Sequence, residues 1–270
     1  MTRVALFCPG RGSYTEKSLR SLPAGEAWVV AAEELRREYG LESLLALDQA
    51  AKFEPARHLR PANAAALIYV SSMLDARDVL TRERVVCVGG NSLGWYTALA
   101  VAGALSFEDG FRLVQEMALL QEQGEPGGQV IYPVVDAEWR PSAEARAAVE
   151  RLLASGAGEL FPSIHLGGYE VLAGTNAGVA RLLPVKLGST SYPFRLAQHG
   201  PYHTPLANGV AARAREQLAR LDFRAPTLTL IDGRGVRFTP NATDLAALRA
   251  YTLGAQVDTP YDFSASVRVA

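Results

Sequence analysis

The segment of residues 85–98, VVCVGGNSLGWYTA, holds the side chain of this sequence best placed for chemistry. Its apolar run 85–88 predicts a strand, and residues 96–101 predict a helix. Between them, residues 90–94 read G-x-S-x-G, a pattern whose glycines permit a sharp turn and hold the central serine exposed at a helix N-terminus. Backbone N–H groups at such an end favour developing negative charge. The pattern therefore predicts that Ser92 is a nucleophile, the alternative being an ordinary tight turn.

A serine nucleophile needs a base within hydrogen-bonding reach, and four histidines are available. His58 lies in a charged stretch that we expect to be exposed. His165 ends a predicted strand, where we expect a structural role. His203 lies in the rigid loop 200–206, GPYHTPL, which suits a fixed imidazole. His199 has the same general setting, so spacing alone favours His203 only slightly.

Composition and charge narrow the class of protein. The 270 residues include 27 basic and 28 acidic side chains, so no nucleic-acid or anionic-membrane partner is expected. The N-terminus lacks a signal-peptide pattern, and no window approaches the roughly 18 apolar residues of a membrane helix, so we expect a soluble cytoplasmic protein. Cys8 and Cys87 lie in apolar runs and are expected to be buried free thiols. Zinc, Walker and dinucleotide-binding patterns are absent, so no cofactor and no metal is expected.

The order of the predicted elements is typical of an α/β fold. We predict an α/β hydrolase-like, parallel-sheet domain formed by residues 1–127 and 197–270. Its predicted strands are residues 4–8, 85–88 and 227–231, and its predicted helices are residues 25–39, 63–80, 96–101, 106–123, 206–221 and 245–253. Ser106 is the predicted N-cap of the helix 106–123, which has acidic residues in its first turn.

A second unit is expected over residues 128–196. There the predicted order is strand, helix, strand, strand, helix, strand, at residues 130–135, 142–153, 161–165, 170–173, 176–183 and 191–194. This βαββαβ order is typical of a ferredoxin-like subdomain, which we expect to be an insertion into the larger domain.

Motifs in the same order and at similar spacing over nearly the whole chain resemble the malonyl-CoA:acyl carrier protein transacylase family of fatty-acid and polyketide synthesis. The family motifs P-G-Q-G-S-Q, G-H-S-L-G-E-Y-T-A, G-x-L-S-x-E-D, F-H-[ST]-P-L and Q-x-x-x-P-V-x-W resemble residues 9–14, 90–98, 103–109, 202–206 and 256–263. The family also carries a ferredoxin-like insertion at the corresponding place. The resemblance implies acyl transfer from acyl-CoA to the phosphopantetheine thiol of an acyl carrier protein.

Carried over to the matching positions, the resemblance implies that Ser92 is the nucleophile and His203 its base. A backbone carbonyl, at Gln256, would orient the histidine in place of a carboxylate. The oxyanion hole would consist of the backbone N–H groups of Leu93 and Arg11. The implied chemistry is a ping-pong reaction, in which Ser92 takes the acyl group from CoA and the carrier thiol then removes it.

The sequence departs from the family where the acyl group is selected. The family's carboxylate-binding arginine, on the helix after the nucleophile, falls at Met117, and a thioether cannot clamp a carboxylate. We therefore expect an altered, non-malonyl selectivity, with a plain core role for Met117 as the alternative. Arg11 replaces a glutamine beside the active site; it is expected either to give a malonyl carboxylate another partner, so that malonyl specificity survives, or to be a surface or structural arginine. Asn91 and Tyr202, which replace the family's His and Phe, are also assigned to acyl selectivity.

Trp95 stands where the family has a glutamate. A tryptophan there is expected either to narrow the site or to pack on the inserted unit. Neither role would remove the nucleophile.

Three functions of different kinds follow from these features. The first is an acyltransferase that loads a carrier protein with acetyl or another uncharged acyl group. The second is an acyl hydrolase of the same fold, in which water replaces the carrier thiol and acyl chains are removed from carrier proteins. The third is a non-catalytic protein that binds a carrier protein, against which the intact Ser92 and His203 argue. Of these, we favour transfer.

Overall fold

The computed structural model describes residues 2–186 and 192–270. Within them the strands are β1 (Arg3–Cys8), β2 (Arg84–Gly90), β3 (Gly127–Pro133), β4 (Leu160–Leu166), β5 (Tyr169–Thr175), β6 (Phe194–Arg195), β7 (Thr229–Ile231), β8 (Arg237–Phe238) and β9 (Tyr261–Asp262). The α-helices are α1 (Ala27–Glu38), α2 (Leu44–Asp48), α3 (Pro55–His58), α4 (Pro61–Arg82), α5 (Leu93–Val101), α6 (Phe107–Glu122), α7 (Ala143–Ser155), α8 (Asn176–Leu182), α9 (Asn208–Gln217), α10 (Leu245–Thr252), α11 (Ala255–Asp258) and α12 (Phe263–Val269).

The first sheet has the strand order β1-β2-β7-β8, with β1, β2 and β7 parallel and β8 antiparallel at the edge. The apolar runs predicted as strands at residues 4–8, 85–88 and 227–231 correspond to β1, β2 and β7 of this sheet, although β7 begins only at residue 229; this confirms the parallel α/β core. In register, Cys8 at the end of β1 lies beside Gly90 at the end of β2. Ligands of α/β proteins bind outside the carboxyl ends of such strands, so a binding site is expected at the loops after β1 and β2.

Helices α4, α5 and α6 pack on one another and, through α5, on the first sheet. Helix α4 is 22 residues long, and its buried side chains include Leu67 and Ile68. Helix α6 begins where the sequence predicts, because the Ser106 hydroxyl accepts a hydrogen bond from the Asp109 N–H and so satisfies one of the helix's free N-terminal donors. Helix α6 packs beside α5 and supplies one wall of a cavity next to Ser92.

The second sheet has the strand order β6-β3-β5-β4-β9. The first four strands of this sheet pair in antiparallel fashion. Helices α7 and α8 pack against the sheet, and a small hydrophobic core between them, separate from the main core, includes Tyr132, Leu172 and Val179. The predicted ferredoxin-like subdomain is therefore confirmed, while its limits at residues 128 and 196 stay a prediction. Strand β9, from the C-terminal segment, extends the sheet in parallel beside β4.

Some short elements differ from the sequence prediction. The last strand of the subdomain is Phe194–Arg195, whereas the prediction was residues 191–194, of which residue 191 lies outside the described residues. Helices α2, α3, α11 and α12 and strands β8 and β9 have no predicted counterpart. Segments this short show too little periodicity to be recognised in a sequence.

His58 is buried, so the expectation that it is exposed is wrong. Its Nδ1 accepts from the Glu54 N–H and its Nε2–H donates to the Leu47 carbonyl, each at 3.0 Å. Both partners are backbone groups beside α2 and α3, two helices that the sequence did not predict. The imidazole therefore joins these helices and has a structural role.

Cys8 and Cys87 are buried and not joined by a disulfide, as the sequence predicts. Burial raises the pKa of the Cys8 thiol to about 12. In the described part of the chain, no helix is long and apolar enough to cross a membrane. The same residues contain no group of His, Cys, Asp and Glu side chains that could hold a metal ion.

Candidate active site

The turn between β2 and α5 holds Ser92 in a strained conformation. Ser92 has φ 54° and ψ −111°, outside the regions that non-glycine residues ordinarily adopt. Two glycines make the turn possible. A Cβ at Gly90 would lie 2.1 Å from the carbonyl carbon of Gly94, and a Cβ at Gly94 would lie 2.1 Å from the carbonyl oxygen of Cys8. The predicted strand–turn–helix is therefore present, with Ser92 as the N-cap residue of α5.

Ser92 and His203 are in contact, although they lie 111 positions apart in the chain. Ser92 Oγ and His203 Nε2 are 2.6 Å apart, and His203 Nδ1 lies 2.7 Å from the main-chain oxygen of Gln256. A carbonyl oxygen only accepts, so Nδ1 carries the proton and donates it to Gln256. Nε2 is therefore left to accept from the Ser92 hydroxyl.

His203 is held by its backbone and by its burial. Its φ is 57°, its N–H donates to the Val257 carbonyl at 3.1 Å, and the residue is 3% exposed. Burial lowers the pKa of His203 to about 4; the hydrogen bond to Gln256 opposes this effect, and the Arg11 charge adds to it. The imidazole is therefore neutral near pH 7, which is the form that a general base needs.

The side chain of Gln256 ties the C-terminal segment to the serine turn. Its Nε2 donates to the main-chain oxygen of Ser92 at 3.1 Å, and its Oε1 accepts from the Tyr96 hydroxyl at 2.5 Å. Tyr261, on β9, donates to the main-chain oxygen of Gly90 at 2.5 Å. The sequence did not reveal either tyrosine's role. The sequence contains one indication for Tyr96: it follows Ser92 by four residues at the start of a predicted helix, which places the two residues on the same side of that helix.

Two backbone N–H groups are available for an oxyanion. Leu93 is the first residue of α5, where an N–H has no partner within its own helix. Arg11 lies in the turn after β1, and both residues line the cavity beside Ser92. Neither N–H donates to a protein acceptor within residues 2–186 and 192–270. Both N–H groups are thus free beside Ser92, and the oxyanion role that the resemblance implies stays a prediction.

A cavity of about 160 Å³ lies beside Ser92, between α6 and the second sheet. An engineered cavity of ~150 Å³ holds benzene, so this volume suits a small acyl group. The apolar part of the wall comes from both structural units: Val114, Met117 and Ala118 on α6, and Ile131, Val171 and Leu196 in the inserted subdomain. Met117 is buried in the main core as well as lining the cavity.

The Arg11 side chain contributes polar groups to the lining of the cavity. Its guanidinium donates to the Tyr202 hydroxyl at 3.0 Å and to Gln121 Oε1 at 2.7 Å, and it lies over the Tyr202 ring, 4.9 Å from the centroid. Gln121 follows Met117 on α6 by one helical turn. The guanidinium is therefore anchored one turn from the thioether.

Asn91 and Trp95 flank the serine in different ways. Asn91 lines the cavity, and its buried Oδ1 has no hydrogen-bond partner in the described part of the chain. Trp95 is fully buried, donates to Thr252 Oγ1 at 3.1 Å and packs edge-on against Tyr251, with centroids 5.4 Å apart. Both partners lie on α10, and Trp95 does not line the cavity. The expectation that it narrows the site or packs on the inserted unit is therefore wrong.

The remaining histidines have other partners. His199 lines the cavity, but its Nδ1 lies 2.6 Å from Gln129 Oε1, and burial lowers its pKa to about 3. His165 Nδ1 lies 2.5 Å from Glu170, whose hydrogen bond raises the pKa of His165. The structure therefore brings His203, and not its neighbour His199, to the serine.

Comparison with known proteins identifies relatives that align over most of this chain. No protein-family model matches the sequence. The malonyl CoA-acyl carrier protein transacylase of Haemophilus influenzae is 24% identical over 252 residues, covering 91% of this chain and 78% of the relative. The protein of the same description from Salmonella typhimurium is 26% identical over an alignment of 279 residues, covering 99% of this chain and 84% of the relative.

Solved structures share the fold. The malonyl-CoA:acyl carrier protein transacylase of Xanthomonas oryzae has a TM-score of 0.80 at 24% identity, over 99% of this chain and 83% of that one. A malonyl-transacylase solved in complex with a type II polyketide-synthase acyl-carrier protein has a TM-score of 0.79 at 21% identity, over 99% and 84%. In sequence over most of its length, and in fold, the chain is therefore similar to malonyl-CoA:acyl carrier protein transacylases.

Proposed function

We propose that this protein is an acyltransferase that moves an acyl group from CoA, through an acyl ester on Ser92, to the phosphopantetheine thiol of an acyl carrier protein. The observation that carries the proposal is the hydrogen-bonded chain from Ser92 through His203 to the Gln256 carbonyl, at the wall of a cavity of acyl size. The related transacylase solved with its carrier protein supports a carrier as the acceptor. Fatty-acid and polyketide synthesis are the pathways that use such an acceptor.

In the loading half-reaction, Nε2 of His203 takes the hydroxyl proton as Ser92 Oγ bonds to the thioester carbonyl carbon. The carbonyl oxygen becomes negatively charged, and the N–H groups of Leu93 and Arg11 stabilise it. The carbon–sulfur bond then breaks, and CoA leaves as a thiol with the proton that His203 held. The product is an ester between the acyl group and Ser92.

In the transfer half-reaction, the carrier thiol gives its proton to His203 and its sulfur attacks the ester carbonyl carbon. The ester bond breaks, and Ser92 Oγ recovers the proton from His203. Water in place of the thiol would give hydrolysis by the same steps. The apolar wall around Met117 disfavours water beside the ester and so supports transfer.

We propose that the acyl selectivity is altered from malonyl. Met117, at the position of the family's carboxylate-binding arginine, lies in the cavity wall beside Val114 and Ala118. A thioether contacts alkyl groups well and cannot clamp a carboxylate. Asn91 and Tyr202 line the same cavity from the two loops that hold the catalytic pair. An acyl group that places apolar atoms against α6 is therefore expected.

Intact-protein mass spectrometry tests the proposal. The protein is incubated briefly and separately with malonyl-CoA, acetyl-CoA and longer acyl-CoAs, and a mass increase equal to the acyl group is measured. Ser92→Ala is the blank. Ser155→Ala is the matched control, because the Ser155 hydroxyl is exposed at the end of α7 and donates to the Leu152 carbonyl of the same helix. Phosphopantetheinylated carrier protein is then added to the loaded enzyme.

Each outcome has a distinct meaning. An adduct that requires Ser92 and moves to the carrier supports the transferase. If the adduct is hydrolysed, and is lost at the same rate with and without the carrier protein, the enzyme is a hydrolase and transfer is contradicted. The absence of an adduct from every acyl-CoA contradicts the proposal and favours removal of acyl groups from carriers or a non-catalytic role.

A further inference from the structure

The Arg11 guanidinium brings a positive charge to a cavity whose described wall contains no acidic side chain. Its two hydrogen bonds go to neutral oxygens, on Tyr202 and Gln121, and it forms no ion pair within the described residues. A guanidinium has five N–H donors, so donors remain for a further acceptor. Arg11 is partly buried, and its free donors point to a substrate with an anionic group, since a guanidinium binds carboxylates through charge-assisted hydrogen bonds.

The Arg11 charge acts at the catalytic end of the cavity. Burial is the main cause of the lowered pKa of His203 and of His199, and the Arg11 charge lowers both further. The main chain of Arg11 lies at the same place, where its N–H is available for an oxyanion. An anion bound by this guanidinium would therefore lie close to the reacting carbonyl group.

The apolar part of the wall begins one helical turn away. Gln121, which anchors Arg11, and Met117 are four residues apart on α6, a rise of about 6 Å at 1.5 Å per residue. Val171 and Ile131, from the inserted subdomain, also line this cavity of about 160 Å³. A small acyl group can therefore meet a cation and an apolar surface at the same time.

We infer that Arg11 binds a carboxylate of the acyl group while the wall around Met117 takes an alkyl substituent, so that the preferred acyl group is a malonyl unit alkylated at its central carbon. This inference rests on the proposed function, since the acyl group must first reach Ser92. Tyr202 and Gln121 position the guanidinium. With Met117 in place of the family's arginine, Arg11 is the residue that keeps a positive charge in the cavity wall.

Two pairs of CoA thioesters that differ by one carboxylate test the inference. Malonyl-CoA is compared with acetyl-CoA, and methylmalonyl-CoA with propionyl-CoA, by the initial rate of acyl-Ser92 formation. The wild-type protein should load methylmalonyl faster than either propionyl or malonyl. In Arg11→Gln the ratio of methylmalonyl to propionyl loading should fall about ten- to one-hundredfold, the loss expected for a charge-assisted hydrogen bond. This ratio cancels any general change in folding or CoA binding.

Two further variants sharpen the test. Arg82→Gln is the matched control, because Arg82 lies exposed at the end of α4 and pairs with Asp78; its ratios should equal those of the wild type. Met117→Ala should lower the ratio of methylmalonyl to malonyl loading about fourfold, the effect expected for one lost methyl contact.

The outcomes separate this inference from the proposed function. Equal loading within each pair, unchanged in Arg11→Gln, overturns the role of Arg11 and leaves acyl transfer intact. Equal losses for all four donors in Arg11→Gln also overturn it, because the guanidinium then does not distinguish acyl groups by their carboxylate. Loading by longer uncharged acyl groups alone overturns it as well. Only the absence of a Ser92-dependent adduct from every acyl-CoA contradicts the proposed function itself.

Discussion

At the scale of single residues, the His203 imidazole is oriented by a neutral carbonyl group. Its Nδ1–H donates to the main-chain oxygen of Gln256 at 2.7 Å, which fixes the tautomer as a carboxylate would. A carbonyl oxygen carries no full charge, however, and stabilises an imidazolium less than a carboxylate does. Burial acts in the same direction, since it penalises the charged form of His203. Nε2 therefore remains free to take the Ser92 proton down to low pH.

This environment predicts an unusual pH dependence of loading. The pKa of His203 is lowered from 6.5 to about 4, so the neutral base form predominates above that value. We expect the rate of acyl-Ser92 formation to be level down to about pH 5 and to fall about tenfold per pH unit below pH 4. Rapid-quench mass spectrometry measures the rate, and far-UV circular dichroism at each pH confirms that the protein is folded. A midpoint near 6.5 in folded protein would contradict the burial of His203.

The Tyr96 hydroxyl is predicted to support the catalytic geometry through Gln256. Tyr96→Phe leaves Gln256 Oε1 buried without its donor, which should lower the free energy of unfolding by about 1–3 kcal/mol. Loading should slow as well, because the same amide holds the Ser92 carbonyl. Tyr132→Phe is the control: it removes a buried hydrogen bond to the Leu182 carbonyl in the inserted subdomain and should lower stability without slowing loading. Equal loading rates in the two variants would show that Tyr96 is only structural.

At the scale of elements, the strand–turn–helix around Ser92 depends on close backbone approach. Helix α5 reaches the end of β1 because Gly94 has no Cβ; an added one would lie 2.1 Å from the Cys8 carbonyl oxygen. This contact places the first turn of α5 beside the loop that carries Arg11. The distance between the two proposed oxyanion donors therefore depends on a glycine that is not among the residues lining the cavity.

Gly94→Ala is predicted to be severely destabilising. The free energy of unfolding should fall by about 3 kcal/mol or more, because backbone atoms on both sides of the contact must move, and Ser92 loading should be lost. Gly209→Ala is the control, since nothing lies within 4 Å of a Cβ at that position in α9, and it should be neutral or slightly stabilising. Urea unfolding measures both. Similar stability of the two variants would contradict the close approach of α5 and β1.

The same scale shows what the sequence could and could not predict. The strands and helices with strong apolar patterns were predicted, and so were the Ser106 cap and the turn at Ser92. The resemblance, and not the spacing, pointed to the Gln256 carbonyl. Short helices were missed, and with them the burial of His58, because its partners lie on α2 and α3. Trp95 was misassigned because nothing local to it indicates that its partners, Tyr251 and Thr252, lie on α10.

At the scale of the whole molecule, the cavity lies between α6 and the second sheet, and polar contacts tie that sheet to the loop that carries His203. His199 Nδ1 donates to Gln129, the Gln129 amide donates to the Ser163 hydroxyl, and that hydroxyl donates to the Tyr202 carbonyl, at 2.6, 2.7 and 2.8 Å. The chain joins β3 and β4 of the inserted subdomain to the residue before His203. Such contacts span 34 to 70 positions, which is why the sequence alone did not reveal them.

Ser163→Ala tests whether this connection serves the site or only the fold. The variant leaves the Tyr202 carbonyl and the Gln129 amide buried without this partner, so the free energy of unfolding should fall by about 1–3 kcal/mol. If the subdomain also keeps water from the acyl ester, the half-life of acyl-Ser92 without a carrier protein should shorten severalfold. The half-life is followed by intact mass, with Ser155→Ala, in which an exposed hydroxyl is lost, as the control. A less stable variant whose acyl ester is as long-lived as that of the wild type would assign the contacts to folding alone, and water exclusion would then rest on the apolar wall around Met117.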